Sequence, residues 1–406
     1  MVRNILYLTL FNLGGPVIIF VSTPLISRVY TPESIGEYYY ILTVATLLSL
    51  VITGCLFNGI YAEKSYRRAQ QVFRECVSIS ISLSLMLQLL LLCAITILLI
   101  LGLPTPALDY ILLTPLALAL ALTQTGYSLL SRLQLYDLSG KLSIFRALVT
   151  VSVQLAFGTI LSATATTLIL TTIACEILIF TLTARHAPSF ITALSKKRHL
   201  LRVPKRYKQH LSFTKYFLPS QLISASANTL PLVFLRVSEN ISLLGLFTML
   251  LRLTMVPANA VGQSIRSTYW NWIRSHGKNP FNAGLISSLT LHLAAAMLSI
   301  VYAHLSPHLL EAYLGHKWAG IDALFPFVAL WVFSSLANVP LSESVKFGLS
   351  SRLLLVAELF LATGKAAVLA LTQTIPPISS IQLFCIASWS INIIISIALL
   401  IQLRRL

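Results

Sequence analysis

Runs of about twenty apolar residues recur along this chain from one end to the other. A run of that length matches the roughly 30 Å hydrocarbon core of a bilayer when it is coiled as an α-helix. Lipid offers no partner for backbone N–H and C=O groups, so a chain crossing it must satisfy them within each segment. The runs predict twelve transmembrane helices near 4–29, 35–62, 76–102, 107–131, 143–162, 165–184, 213–235, 241–265, 283–306, 322–345, 352–373 and 379–402. The expected fold class is therefore an all-α polytopic membrane protein with about twelve transmembrane helices. Composition agrees: only 10% of the residues are charged, against about a quarter in soluble domains.

The net charge of +17 invites a nucleic-acid reading, which its distribution excludes. With the N-terminus in the cytoplasm, 24 of the 29 Lys and Arg residues fall on the cytoplasmic side, in the termini and the even-to-odd loops. Arg28, Arg236 and Lys317 fall on the other side, and Arg252 and Lys365 lie within spans. The positive-inside rule accounts for such a bias without nucleic acid and places both termini in the cytoplasm. The first stretch follows only "MVRN", is too long for a signal-peptide core and lacks an A-x-A site, so it reads as a retained span.

The halves divide at "ARHAPSFITALSKKRHLLRVPKRYKQH", which holds eight Lys or Arg residues and no acid. Such a linker suits anionic headgroups at the cytoplasmic surface, so membrane lipids are expected partners. The expected organisation is an N-terminal lobe over 1–184, the linker over 185–212 and a C-terminal lobe over 213–406. Two local matches support a repeat. "YDLSGKLSIFRALV" from Tyr136 aligns with "FGLSSRLLLVAELF" from Phe347, and "RVYTPESIGEY" from Arg28 resembles "RVSENISLLGLF" from Arg236, which brings Gly36 against Gly245. With six spans per half, both enter from the same side, so the repeat is parallel about an axis along the membrane normal, as in transporters. Pro16 and Pro24 in the first span, and Pro219 and Pro231 in the seventh, predict bends.

Enzymatic signatures are missing from the sequence. There is no GxxxxGK[ST], no HExxH and no GxSxG, and Asp occurs only at 109, 137 and 322, so no Asp-x-Asp pair holds a metal on a sugar nucleotide. His304 and His308 have i,i+4 spacing and His316 follows, but an interfacial belt explains them better than a metal. Cys55, Cys76, Cys93, Cys175 and Cys385 lack CxxC spacing and read as small packing residues. No cofactor, metal or catalytic residue is expected, and the chain reads as a non-enzyme.

Three segments resemble one family. They are "PLISRVYTPESIGEYYYILTVATLLSLVITGCLFNGI", "YKQHLSFTKYFLPSQLISASANTLPLVFLRVSENISLLGLFTMLLRLTMVPANAVGQSI" and the Gly-x-x-Trp stretch "YLGHKWAGIDALFPFVALWVFSSLANVPLS". Together they are similar to Wzx-like polysaccharide flippases, the polysaccharide transporter branch of the multidrug/oligosaccharidyl-lipid/polysaccharide exporter superfamily. The resemblance implies two six-helix lobes in a V around a central cavity and an undecaprenyl-diphosphate-linked oligosaccharide turned across the bacterial inner membrane. The sugar then enters O antigen, lipopolysaccharide or a related polymer, with a polysaccharide polymerase and a chain-length regulator as partners. A drug/cation antiporter of the same superfamily is the alternative within transport; a membrane-embedded polymerase is the alternative among enzymes.

Charged residues inside or at the ends of spans are the candidate site. A charge at a helix centre costs roughly 2.5–3.5 kcal/mol on insertion scales, so function or pairing must hold it there. Lys365, Arg252, Arg28 and Arg236 are candidates for substrate binding, and Glu358 and Glu176 for ion coupling. Glu358 and Lys365 stand two turns apart on one face, about 10 Å along the helix, so mutual neutralisation competes with a cavity role. Glu176 and Arg252 lie in opposite halves, where a pair across the cavity belongs to one state only. Arg28 and Arg236 also suit a snorkelling role near the headgroups.

Overall fold

A computed structural model describes residues 2–62, 65–101, 108–133, 135–185, 211–276, 280–341 and 351–404. The basic stretch 186–210, the first residues of the 347–360 repeat match and the side chain of His308 lie outside the described residues. Among the described residues each apolar run is mostly helical, and no strand occurs. In chain order they are α1 (Val2–Val29), α2 (Pro32–Thr53), α3 (Phe57–Ala62), α4 (Tyr66–Ile100), α5 (Leu108–Ile111), α6 (Leu113–Arg132), α7 (Tyr136–Ile160) and α8 (Ala165–Ala184). The chain continues with α9 (Leu211–Val237), α10 (Ile241–His276), α11 (Pro280–Leu314), α12 (Phe325–Ser335), α13 (Ser351–Leu371) and α14 (Pro377–Arg404). Among the described residues eight helices are long and apolar enough to cross a membrane, and the apolar parts of α1 and α12 are shorter. Helices α9 and α13 fall on the remaining two predicted spans with 27 and 21 residues.

Two of the predicted spans are interrupted. The stretch 35–62 breaks after Thr53, where Gly54 and Cys55 both take positive φ, +56° and +55°. That left-handed step turns the chain into α3; glycine takes it freely, whereas cysteine does so against its Cβ. The stretch 322–345 starts in a 3₁₀ turn (Ile321–Ala323) and breaks again at Leu336–Ala337. Pro340 has no N–H to give the Leu336 carbonyl, and shorter bonds from Leu336 to Phe333 and from Ala337 to Ser334 tighten the backbone there.

The chain forms two compact units, residues 1–37 with 223–406, and residues 38–222. In the second, α6 lies between α4 and α8, and α7 packs on α8. Its core joins Val72, Phe73 and Val77 of α4 to Leu122 and Leu129 of α6 and Phe180 of α8. The far half of α4 leaves Leu85, Leu89, Ile97 and Leu99 exposed, a surface that suits lipid rather than water.

In the first unit α1 packs on α10 and α11, while α12 touches α10, α11 and α14, and α13 lies on α14. Trp331 is its centre, stacked on Phe247 with 6.3 Å between ring centroids and edge-on to Phe384 at 5.2 Å. Gly315 explains the Gly-x-x-Trp stretch. Its φ of +96° turns the chain out of α11, so that the fully buried Trp318 donates from Nε1 to the Ser27 carbonyl at 3.0 Å. Ser27 in turn donates to the Leu314 carbonyl at 2.8 Å, closing α1 onto the end of α11.

The start of α2 crosses the start of α10 in this same unit. A Cβ placed on Gly245 would lie 1.9 Å from the Pro32 carbonyl oxygen, and one on Gly36 would lie 2.8 Å from the Gly245 nitrogen. The two glycines that match in the sequence repeat thus meet in space, backbone against backbone. One residue on, Glu37 receives Arg236, with Nε 3.1 Å from Oε2.

Candidate functional site

Two intramembrane charges have their partners described, one in each unit. In unit 38–222 the charge lies between α7 and α8. Arg146 sits ten residues into α7, or about 15 Å along the helix axis. Its Nε donates to Glu176 Oε1 at 2.8 Å and its Nη2 closes on the same oxygen. The partners differ in access: the Glu176 side chain is 3% exposed and that of Arg146 39%. A buried carboxylate therefore fixes an accessible guanidinium.

Polar side chains continue along the same helix seam. Gln154, two turns beyond Arg146, donates to Thr172 Oγ1 at 3.3 Å, and Tyr38 shares a 2.9 Å hydrogen bond with that hydroxyl. Thr123 of α6 donates to the Glu176 carbonyl at 2.9 Å. Tyr127 lies close enough to feel both charges of the pair.

In unit 1–37 with 223–406, the charge is Lys365 on α13. It is 2% exposed, yet no carboxylate among the described residues forms an ion pair with it. Its Nζ donates to Asn228 Oδ1 of α9 at 2.9 Å and stands 5.4 Å from the centroid of the Trp331 ring. A hydrogen bond to a charged group contributes about 1.5–3 kcal/mol, and a desolvated cation–π contact about 2.

Beneath Trp331 runs a chain of hydrogen bonds in one direction. His292 of α11 shares a 3.2 Å bond with Ser396 of α14, whose hydroxyl donates to Asn338 Oδ1 at 2.6 Å. Asn338 donates to Asn392 at 3.1 Å, and Asn392 to Ser334 at 3.3 Å. Ser334 completes the chain on the Trp331 carbonyl at 2.8 Å. Because Ser396 gives its only proton to Asn338, it accepts from His292, which fixes the ring with its proton on Nε2.

Of the six residues singled out by sequence, Glu176 belongs to unit 38–222 and Arg28, Arg236, Arg252, Glu358 and Lys365 to the other unit. Glu176 is held by Arg146. Arg252, 9% exposed on α10, forms no ion pair among the described residues and lies near Tyr313. Arg236 meets Glu37. Arg28 is exposed at the end of α1, where its carbonyl accepts from Lys317 Nζ at 3.3 Å. Glu358 stays two turns from Lys365, within electrostatic reach but without an ion pair between them. Arg146, grouped by sequence with the cytoplasmic loop charges, is a correction: its depth in α7 makes it an intramembrane residue. That depth was its available signal. Asn228 carried none, since an asparagine in an apolar run gives no indication of which helix it faces.

Comparison with known proteins follows this geometry. The family model described as "Polysaccharide biosynthesis protein" matches residues 1–269. No curated protein matches the chain. Among solved structures, the lipid II flippase MurJ in an inward closed conformation is similar with a TM-score of 0.70 at 12% identity, covering 98% of this chain and 87% of that one. The MATE multidrug transporter DinF-BH gives 0.62 at 14% identity over 99% and 95% of the two chains. An inward-facing MATE transporter of the MOP superfamily gives 0.56 at 14% identity over 98% and 94%. At these identities the likeness is one of fold.

Proposed function

Since the chain belongs to the polysaccharide biosynthesis protein family, we propose that it is a flippase for undecaprenyl-diphosphate-linked oligosaccharide. It carries the repeat unit across the bacterial inner membrane by ion-coupled alternating access of the halves 1–184 and 213–406, with both termini in the cytoplasm. The sugar then feeds O antigen or a related polysaccharide, and a polymerase and a chain-length regulator act after it.

One observation carries this reading over a drug antiporter. In the Arg146–Glu176 pair the accessible partner is the cation and the buried partner is the acid. A site for cationic drugs needs the reverse, a carboxylate that the ligand can reach. A guanidinium held by one carboxylate oxygen still presents donors, and its planar fork suits diphosphate oxygens. Arg146 is thereby assigned to the diphosphate, with Arg252 as a further intramembrane cation and Arg28 and Arg236 toward the headgroups.

The experiment is a deletion strain analysed for lipid-linked sugar. Loss of the protein causes the unflipped intermediate to accumulate in the inner leaflet and the polymer to disappear. Arg146→Lys restores polymer only in part, and Arg146→Gln fails to restore it when expression is raised to match wild-type membrane abundance. If the deletion leaves lipid-linked sugar at its wild-type level, the protein is not its flippase.

A further inference from the structure

The surroundings of Lys365 point to a second ligand. An ammonium has three N–H donors and no acceptor. Among the described residues, Asn228 Oδ1 is the one oxygen that serves it, and the Trp331 ring covers another side. The side chain is 2% exposed. A permanently charged group in this setting would want more acceptors or a carboxylate, as Arg146 has. A neutral amine needs neither: it still donates to Asn228, and it places a lone pair where the charged form has an unserved N–H.

The helices around the ammonium bring few other titratable groups. Glu358 on its own helix and Cys385 on α14 are the two titratable groups within its electrostatic reach. Helix α9 presents the neutral Asn228 and α12 the neutral Trp331. Nothing here is shaped for a diphosphate: to reach one, Lys365 must leave Asn228 and Trp331. A proton is a ligand small enough for the site as it stands.

We infer that Lys365 is a proton-binding site that couples transport to the proton gradient, taking up and releasing one proton per cycle. The inference rests on the transport reading above and adds the coupling ion. The proton joins the amine lone pair to give the ammonium, and leaves it again as the site changes access. Its mechanical effect follows from the partners. The charged form draws Asn228 and Trp331 together, tying α9 to α12 and α13. The neutral form keeps a weaker hydrogen bond and little attraction to the ring. Helix α9 is suited to respond, since Pro231, three residues past Asn228, leaves the Ala227 carbonyl without its helical donor.

The test separates a proton site from a fixed charge and from a packing residue. Lys365→Arg keeps the charge through any accessible pH, and Lys365→Met keeps the length and removes it. Both are expected to reach normal abundance and to lose polymer formation in the deletion strain, because each freezes one protonation state. The wild type is expected to lose transport when a protonophore collapses the gradient and to keep it when sodium is withdrawn. Retained transport in Lys365→Arg with the wild-type pH profile would mean that the charge alone matters, and would overturn the inference. Retained transport in Lys365→Met would do the same in favour of packing. Against misfolded variants, the purified wild type labelled with ¹³Cε-lysine provides a direct readout. The Lys365 resonance, assigned by its absence from Lys365→Arg, should titrate apart from the exposed lysines; titration together with them overturns the proposal. If the wild type itself does not relieve the accumulated lipid-linked sugar, the flippase reading fails while this titration still decides the proton site.

Discussion

Two intramembrane cations in this molecule are stabilised in opposite ways. Arg146 rests on a carboxylate and keeps 39% of its side chain exposed; Lys365 is 2% exposed and rests on an amide and an indole. The first arrangement holds a charge in place, and the buried acid sets where the guanidinium points. The second holds a charge only as long as its proton stays. A pair tolerates the loss of neither partner, whereas a neutral cradle tolerates both forms of its guest. The difference teaches that counting charges in a span says little about their task until the partners are known.

The comparison breaks most visibly at Arg146. Arg146→Ala leaves the Glu176 carboxylate buried without its counter-charge, and breaking a buried pair in this way costs about 3–5 kcal/mol. A marked drop in apparent Tm of the purified protein is the expected result, and no drop would mean that the pair is decorative. Replacing both partners, Arg146→Met with Glu176→Leu, should recover most of that stability while transport stays lost. Recovery of both would sever the pair from function.

A smaller effect is expected at the other cradle. Asn228→Leu removes the one acceptor of Lys365 among the described residues, which should cost about 1–3 kcal/mol for a hydrogen bond to a charged group. The distinguishing feature is its pH dependence. The loss should shrink where Lys365 is neutral, whereas the cost of Arg146→Ala has no such origin. Melting curves across pH for the two variants side by side provide the check. The smallest effect belongs to Arg236→Ala. Its side chain and that of Glu37 are 29% and 16% exposed, and solvent screening holds such pairs near 1 kcal/mol or below. A loss as large as that of Arg146→Ala would show that exposure does not rank these charges.

The fold was legible because lipid leaves so few options: the apolar stretches had to be helices, and among the described residues they are helical, with two of them interrupted. Its interruptions were partly legible. Pro340 was visible in the sequence, but the left-handed step at Gly54 and Cys55 depends on where α3 must pack. The site was read less well. Lys365 and Glu176 stood out as charges in apolar runs, yet their partners Asn228 and Arg146 did not. Asn228 is 137 residues from Lys365, and only packing brings them together. The same holds for the chain from His292 to Ser334, whose serines and asparagines look like ordinary helix-surface residues until three helices meet. Polarity is written in the sequence, whereas facing is a property of the assembled helices.

The crossing of α2 and α10 has a consequence for how this sequence can drift. When a core side chain grows, a neighbouring side chain can shrink and the lineage recovers. At Gly245 the obstacle is the Pro32 carbonyl, and at Gly36 it is the Gly245 backbone. No substitution trims a backbone, so neither glycine has a compensating partner. Within a population, variants at these two positions should therefore be lost rather than rescued, even while the apolar surfaces around them turn over freely. Two positions 209 residues apart are in this sense inherited as one.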